Sequence, residues 1–150
     1  MKHNDPYWEY KNLDEMNKQE WEDLCDQCGK CCLNKIEYEG NHYVSYTNVV
    51  CKLFDNNTCA CSDYSNRKKK VPDCIKLTPL LVKKLKDLPD TCAYRLIHKG
   101  EKLKPWHHLI SGSRETIHEQ VQSVKDKTIN ESQIDIDDLD NYLIKWVKPS

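Results

Sequence analysis

The spacing of apolar positions changes along this chain from helical to alternating and back to helical. Asn17-x-x-Glu20 has the form of an N-cap with a reciprocating carboxylate three residues on, and Trp21 and Leu24 follow on one face. A short helix that runs directly into Cys25 is therefore predicted. From Ile36 to Tyr46 the pattern alternates: Ile36 and Tyr38 precede Gly40-Asn41, and Val44 and Tyr46 follow, which predicts a β-hairpin. Residues 51–74 are polar and irregular, with a turn at Asp55-Asn56-Asn57. Thr78-Pro79 supplies an N-cap and a proline at the first helical position, so a helix is predicted to about Leu88, with Leu81, Leu85 and Leu88 aligned. Thr91 caps a further helix from Cys92 to His98, closed by Gly100, and Ser113 starts another that ends near Gln120. Ile136, Leu139, Leu143 and Trp146 share one face of a last helix, acidic at its start (Asp135 to Asp138) and basic at its end (Lys145, Lys148).

No internal repeat and no linker interrupts this series. It predicts a small α+β fold, mostly helical and loop-rich, with one β-hairpin, as a single domain over residues 1–150 organised around a cysteine-ligated metal site.

Composition supports the metal. Leu, Ile, Val and Phe make up about a fifth of the chain, just above the disorder-prone range. The formal net charge is only −1, so self-repulsion is weak. With so thin an aliphatic core, metal ligation is expected to supply folding energy that burial does not. Met1 to Tyr10 carries Asp5 and Glu9 and no apolar run, so no signal peptide is expected, and no stretch approaches the ~20 apolar residues of a membrane span. A cytoplasmic location, where disulfides are rare, follows as the expectation, and an odd count of nine cysteines agrees.

The cysteines carry the chemistry. Cys25, Cys28, Cys31 and Cys32 stand as C-x2-C-x2-C-C, followed by Cys51, Cys59, Cys61, Cys74 and Cys92. A zinc ribbon needs a second C-x2-C pair, and the chain offers only Cys59-x-Cys61. C-x2-C-x2-C matches the first three ligands of a ferredoxin-type [4Fe–4S] site, though without the C-x3-C-P continuation. Cys32 directly follows Cys31 and cannot easily share one ion with it; another iron, a second metal or no metal remain open for it. Gly29 lies between the second and third cysteines, where a loop folding around a metal needs a permissive backbone.

These residues resemble a known family. CDQCGKCC (Cys25 to Cys32), Cys51-Lys-Leu-Phe-Asp, Cys61-Ser-Asp-Tyr64-x-x-Arg67 and Cys74 are similar to the CxxCxxCC family, described as zinc- or iron-chelating, and within it to the YcgN-like group. Supporting stretches such as YTNVVCKLF, PDCIKLT, DLPDTCAYRL and PWHHLISGS extend the likeness from about Pro6 to Trp146. The resemblance implies Cys25, Cys28, Cys31, Cys32, Cys51, Cys61 and Cys74 as metal-site residues, with Cys59 and Cys92 matching only the narrower group. Lys68 to Lys70 depart from the family by intervening before Pro72. A flagellin lysine methylase also looks to carry the broad motif, which keeps methyl transfer in view by analogy.

Outside the cysteines, His107 and His108 after Pro105-Trp106 are the leading candidates for ligation or acid–base work, ahead of His42 and His118. Four glycines in the whole chain argue against a phosphate-cradling loop. Arg67 to Lys70 reads as a solvated run or as counter-charge to thiolates, and the net charge argues against nucleic acid.

The sequence thus predicts a cytosolic metal-binding protein holding an iron–sulfur cluster, a [4Fe–4S] site on Cys25, Cys28, Cys31 and a downstream cysteine (Cys74 first), or iron, with a redox, electron-transfer or metal-handling role. A zinc-stabilised interaction module is the alternative, and a metal-dependent enzyme the third. Neither nucleic acid nor membrane is expected as a partner, while a protein partner and the oligomeric state stay open.

Overall fold

The computed structural model describes residues 5–38, 43–71, 74, 76–85 and 88–149. The predicted hairpin turn Gly40-Asn41, His42 and Pro72 lie outside the described residues. Helices and a few strands fall in separate runs along the chain, the pattern of an α+β fold. The chain forms two compact units, one from Met1–Asp26 and Leu77–Gln122, the other from Gln27–Lys76 and Ser123–Pro149. The boundary after Asp26 divides the cysteine motif: Cys25 belongs to the first unit, and Cys28, Cys31 and Cys32 to the second.

The first unit is helical. Asn17 caps the helix Lys18–Leu24 by accepting from the Glu20 amide at 2.9 Å, while the Glu20 carboxylate accepts from the Asn17 amide at 3.0 Å, closing the predicted capping box. Thr78 Oγ1 accepts from the Leu81 amide to start Pro79–Lys84. This helix stops earlier than predicted, at Leu85, whose extended backbone lets Leu88 turn into the core. Cys92 rather than Thr91 occupies the N-cap of Ala93–His98. Gly100, at φ +75°, ends that helix: its amide bonds to the Ile97 carbonyl and the Glu101 amide to the Leu96 carbonyl, a Schellman arrangement. The helix expected from Ser113 is displaced to Thr116–Glu119, because the Ser111 and Ser113 hydroxyls accept from the Ser113 and Glu115 amides and hold turns there instead. Leu13, Leu24, Val82, Leu88, Ala93, Tyr94 and Leu103 form the core, with Trp21, Cys25, Cys92 and Leu109 packed on it.

The second unit is built on a sheet. Leu33–Tyr38 pairs antiparallel with Tyr43–Val50, giving the predicted hairpin. Tyr43–Val50 also pairs in parallel with Ile129–Asn130. The register slips between Leu33 and Lys35: Asn34 alone stands opposite Thr47, Asn48 and Val49, so the irregularity lies in Tyr43–Val50. The segment 51–74 is more ordered than its composition predicts: Phe54–Asp55 and Ala60–Cys61 form a small ladder, and Tyr64–Asn66 and Arg67–Lys70 are helical turns. Asp55 Oδ1 accepts from the Asn57 amide at 2.8 Å, making the expected turn. Leu33, Tyr46, Val50, Phe54, Cys59, Val124 and Val147 form the core, with Cys32 and Ile144 against it.

The last predicted α-helix is corrected. Ile136–Tyr142 is a 3-10 run capped by Asp135 Oδ1, and at Leu143 the chain bridges to Thr47. The amide of Ile144 donates to the Tyr46 carbonyl at 3.0 Å, so the sheet edge takes up the segment that helical periodicity assigned to a continuous helix. Aspartates within the run add to this, being poor helix-interior residues.

Candidate metal centre

In the second unit the thiols are organised by backbone. Gly29, at φ +79°, turns the chain into the 3-10 turn Lys30–Cys32, and its carbonyl accepts from the Cys32 amide at 3.1 Å. A side chain there is excluded twice over: φ is left-handed, and a Cβ would lie 2.6 Å from Val124 Cγ2 and 2.9 Å from the Phe54 ring. The turn leaves Cys31 exposed and sets Cys32 partly against the core. The Cys32 carbonyl accepts from the Cys51 amide at 2.9 Å, and the Cys51 carbonyl from the Phe54 amide at 2.9 Å. Phe54 in turn pairs with Cys61 across the small ladder. Cys32, Cys51 and Cys61 are therefore linked in one run of main-chain contacts. The Cys74 amide donates to Val71, and the Val71 amide to Arg67, which ties Cys74 to the basic helical turn.

Electrostatics group the same residues. The hydrogen bond to Cys31, then burial, then the nearby Cys31, Cys51 and Cys61 push the Cys32 thiol up. Burial raises Cys51, with Glu131, Cys61 and Cys74 adding to it. Burial also raises Cys74, opposed by Arg67 and Lys68. Cys31, Cys32, Cys51, Cys61 and Cys74 thus share one neighbourhood. Among the described residues, no group of three or more His, Cys, Asp or Glu side chains is drawn together closely enough to hold a metal ion as it stands. The nine cysteines are thiols rather than disulfides.

Cys28 and Cys59 form a second, buried pair. The Lys30 amide donates to Cys28 Sγ at 3.4 Å, and Cys59 Sγ donates to the Cys28 carbonyl at 3.4 Å. Cys59 is 1% exposed at φ +59°. Arg67 stacks on the exposed Tyr64 ring at 3.7 Å and donates to the Tyr64 carbonyl.

Cys25, Cys92, His107 and His108 stand in the first unit. The helix Lys18–Leu24 has no glycine cap; Cys25 follows it in extended conformation, at φ −65° and ψ 128°. Its terminal carbonyls are instead satisfied by side chains. Tyr94 Oη donates to the Trp21 carbonyl at 2.7 Å, His108 Nε2 to Asp23 at 2.5 Å, His107 Nε2 to Leu24 at 2.7 Å and Arg114 Nη1 to Cys25 at 2.8 Å. The Leu109 amide donates to His107 Nδ1 at 3.1 Å, which fixes the Nε2–H tautomer. Both ring nitrogens of buried His107 are thereby engaged with backbone, and burial holds both histidines below the usual range. The rings stack at 4.7 Å. In this arrangement the pair caps the helix that delivers Cys25.

The sequence profile of the CxxCxxCC family, described as a "putative zinc- or iron-chelating domain", matches residues 24–93. Over nearly its whole length the chain is similar to UPF0260 proteins. It is 50% identical to one from Pseudomonas entomophila over 93% of each chain, and 50% identical to one from Pseudomonas putida over 94% of each. A UPF0260 protein of Sinorhizobium medicae is 48% identical over 94% of this chain and 91% of its own. The chain belongs to the UPF0260 family. No solved structure matches it.

The donor set of this UPF0260 chain fits a thiophilic metal. Sulfur donors select zinc and iron–sulfur centres over hard cations. Thiols of the Lys30–Cys32 turn, the end of a strand, the small ladder and the Cys74 loop act on one another electrostatically. Two groups near them carry no sequence signal. Glu131 lies beyond the matched profile, in a polar stretch without periodicity, and Asn34, opposite the register irregularity, is a lone polar residue.

Proposed function

We propose that this chain holds an iron–sulfur cluster or iron through Cys31, Cys32, Cys51, Cys61 and Cys74, and that it acts in cytosolic redox, electron-transfer or metal-handling chemistry. The observation that carries the reading is the run of main-chain contacts from Cys32 through Cys51 and Phe54 to Cys61, which gathers thiols remote in sequence. Cys31 and Cys32 are adjacent in that neighbourhood. Neighbouring thiolates bind one small tetrahedral ion poorly but can reach different irons of a cluster, such as a [4Fe–4S] cube. Arg67 and Lys68 beside Cys74 supply counter-charge to an anionic thiolate centre. When bound, the metal centre supplies electron storage or a stored metal; the chain supplies the thiolates and their electrostatic surroundings.

A zinc-stabilised module without chemistry of its own is the second reading, favoured by two small cores in place of one large one. Purification without air, iron and sulfide analysis, and Mössbauer spectroscopy separate them. The first reading expects iron with visible thiolate charge-transfer absorbance, quenched on reduction. Colourless protein that retains stoichiometric zinc under the same conditions overturns it.

A further inference from the structure

The carboxylate of Glu131 is hydrogen-bonded to the backbone next to Cys51. Ile129–Asn130 runs parallel to Val49–Val50 in the register Val50↔Asn130, so the next residues, Glu131 and Cys51, come abreast. Glu131 Oε1 accepts from the Lys52 amide at 3.0 Å, and Asn130 Nδ2 donates to the Lys52 carbonyl at 3.3 Å. The residue immediately after Cys51 is thus held at both its backbone groups from a segment 79 and 78 residues away. Asn34, opposite the register irregularity and two residues after Cys32, donates from Nδ2 to Glu131 Oε2 at 3.2 Å and to the Val49 carbonyl at 3.2 Å. Thr47 Oγ1 donates to the Asn34 carbonyl at 2.8 Å and fixes the bulge. Bulges commonly re-aim a side chain beside a functional site. Here the irregularity faces Asn34, whose amide holds the second carboxylate oxygen.

We infer that Glu131, oriented by Asn34, is a positioning residue for Cys51: it fixes the Cys51–Lys52 backbone and places a negative charge beside the thiol site, where it favours a bound metal cation. This rests on the reading of that site given above and extends it beyond residues 24–93. Both oxygens of Glu131 are occupied by hydrogen bonds, so its part is to orient and to contribute charge rather than to ligate. Outer-shell partners of this kind tune ligand geometry and metal affinity.

Titration of the metal-free full chain with Cd(II), followed by thiolate charge-transfer absorbance against a competing chelator, tests this. E131Q retains an acceptor for the Lys52 amide but loses the charge and the acceptor for Asn34 Nδ2; it should bind Cd(II) in unchanged stoichiometry with affinity lower by about 10- to 100-fold. E37Q, which removes the same charge from the exposed hairpin, should bind as the wild type does. N34A should show a smaller loss than E131Q and carries the test should E131Q fail to fold. Equal affinity for wild type, E131Q and N34A overturns the inference, as does an equal loss in E37Q. A wild-type chain that takes up no Cd(II) overturns the site reading itself, and this inference with it.

Discussion

The amide of Cys51 donates to the carbonyl of Cys32 at 2.9 Å, which joins the last cysteine of the C-x2-C-x2-C-C run to the next one along the chain. Cys32, the residue with no evident role in the spacing, is thereby central to the thiol neighbourhood rather than peripheral to it. Cys59 is the contrasting case, buried and donating to a carbonyl. Replacement of Cys32, Cys51 or Cys61 by Ser is expected to abolish stoichiometric metal retention. Cys59→Ala should retain the metal and lose about 1–2 kcal/mol of stability from burial and its hydrogen bond. Metal content and urea unfolding of each variant check this. Metal loss in C59A with retention in C32S would reverse the assignment.

Gly29 presents a purely steric prediction. Alanine at φ +79° costs about 1–2 kcal/mol, and its Cβ, 2.6 Å from Val124 Cγ2, forces the Phe54–Val124 contact apart. With overpacking at about 1–3 kcal/mol, Gly29→Ala should destabilise the chain by about 2–5 kcal/mol. A urea midpoint indistinguishable from the wild type would show that the turn can relax.

Local chemistry was readable and long-range pairing was not. Asn17 and Glu20 satisfy each other within four residues, so their capping box stands in the sequence as it does in the structure. The alternation around Ile36 and Val44 likewise needs only its own strand and neighbour. Ile136 to Trp146 misleads because its helical spacing competes with the Thr47–Leu143 bridge, which periodicity cannot see. The cysteines announce a metal by type and spacing. That Cys32 meets Cys51 depends on a strand register with a bulge in it, and that Glu131 comes abreast of Cys51 depends on a parallel pairing two residues long. His107 and His108 stood out as candidate chemistry from residue type alone. Their capping of Asp23 and Leu24 rests on contacts more than eighty residues apart in sequence.

That cap makes the chain acid-sensitive. Burial, the largest cause, lowers both His107 and His108 from the ordinary 6.5. The unfolded chain therefore takes up protons on these rings at a higher pH than the folded chain does. Their contribution to stability is full above pH 6.5 and is lost as pH falls through that value towards the folded-state pKa. Urea unfolding of the intact chain between about pH 7.5 and pH 5.5 should show stability falling with acidity. His107→Gln, whose amide can still donate to Leu24, should flatten that slope. An unchanged slope in the variant would assign the acid sensitivity to other groups.

Metal removal should leave sluggish thiols. Burial raises Cys51 and Cys74, and the hydrogen bond to Cys31 together with burial raises Cys32, so in the metal-free chain these sulfurs are protonated at neutral pH. Alkylation proceeds through the thiolate, and a raised pKa depletes it. Chelator-treated protein exposed to iodoacetamide should be modified first at exposed Cys31, and at Cys32, Cys51 and Cys74 well below the rate of a model thiol. Two causes contribute to that protection, and urea separates them: unfolding removes burial and should bring the three to the model rate together. In the metal-loaded chain all of these sulfurs should be protected, because ligation occupies the lone pair that attacks. Peptide mass spectrometry over a time course resolves each cysteine. Fast modification of Cys32 in the folded, metal-free chain would mean that its sulfur is not held in the buried neighbourhood on which the site depends.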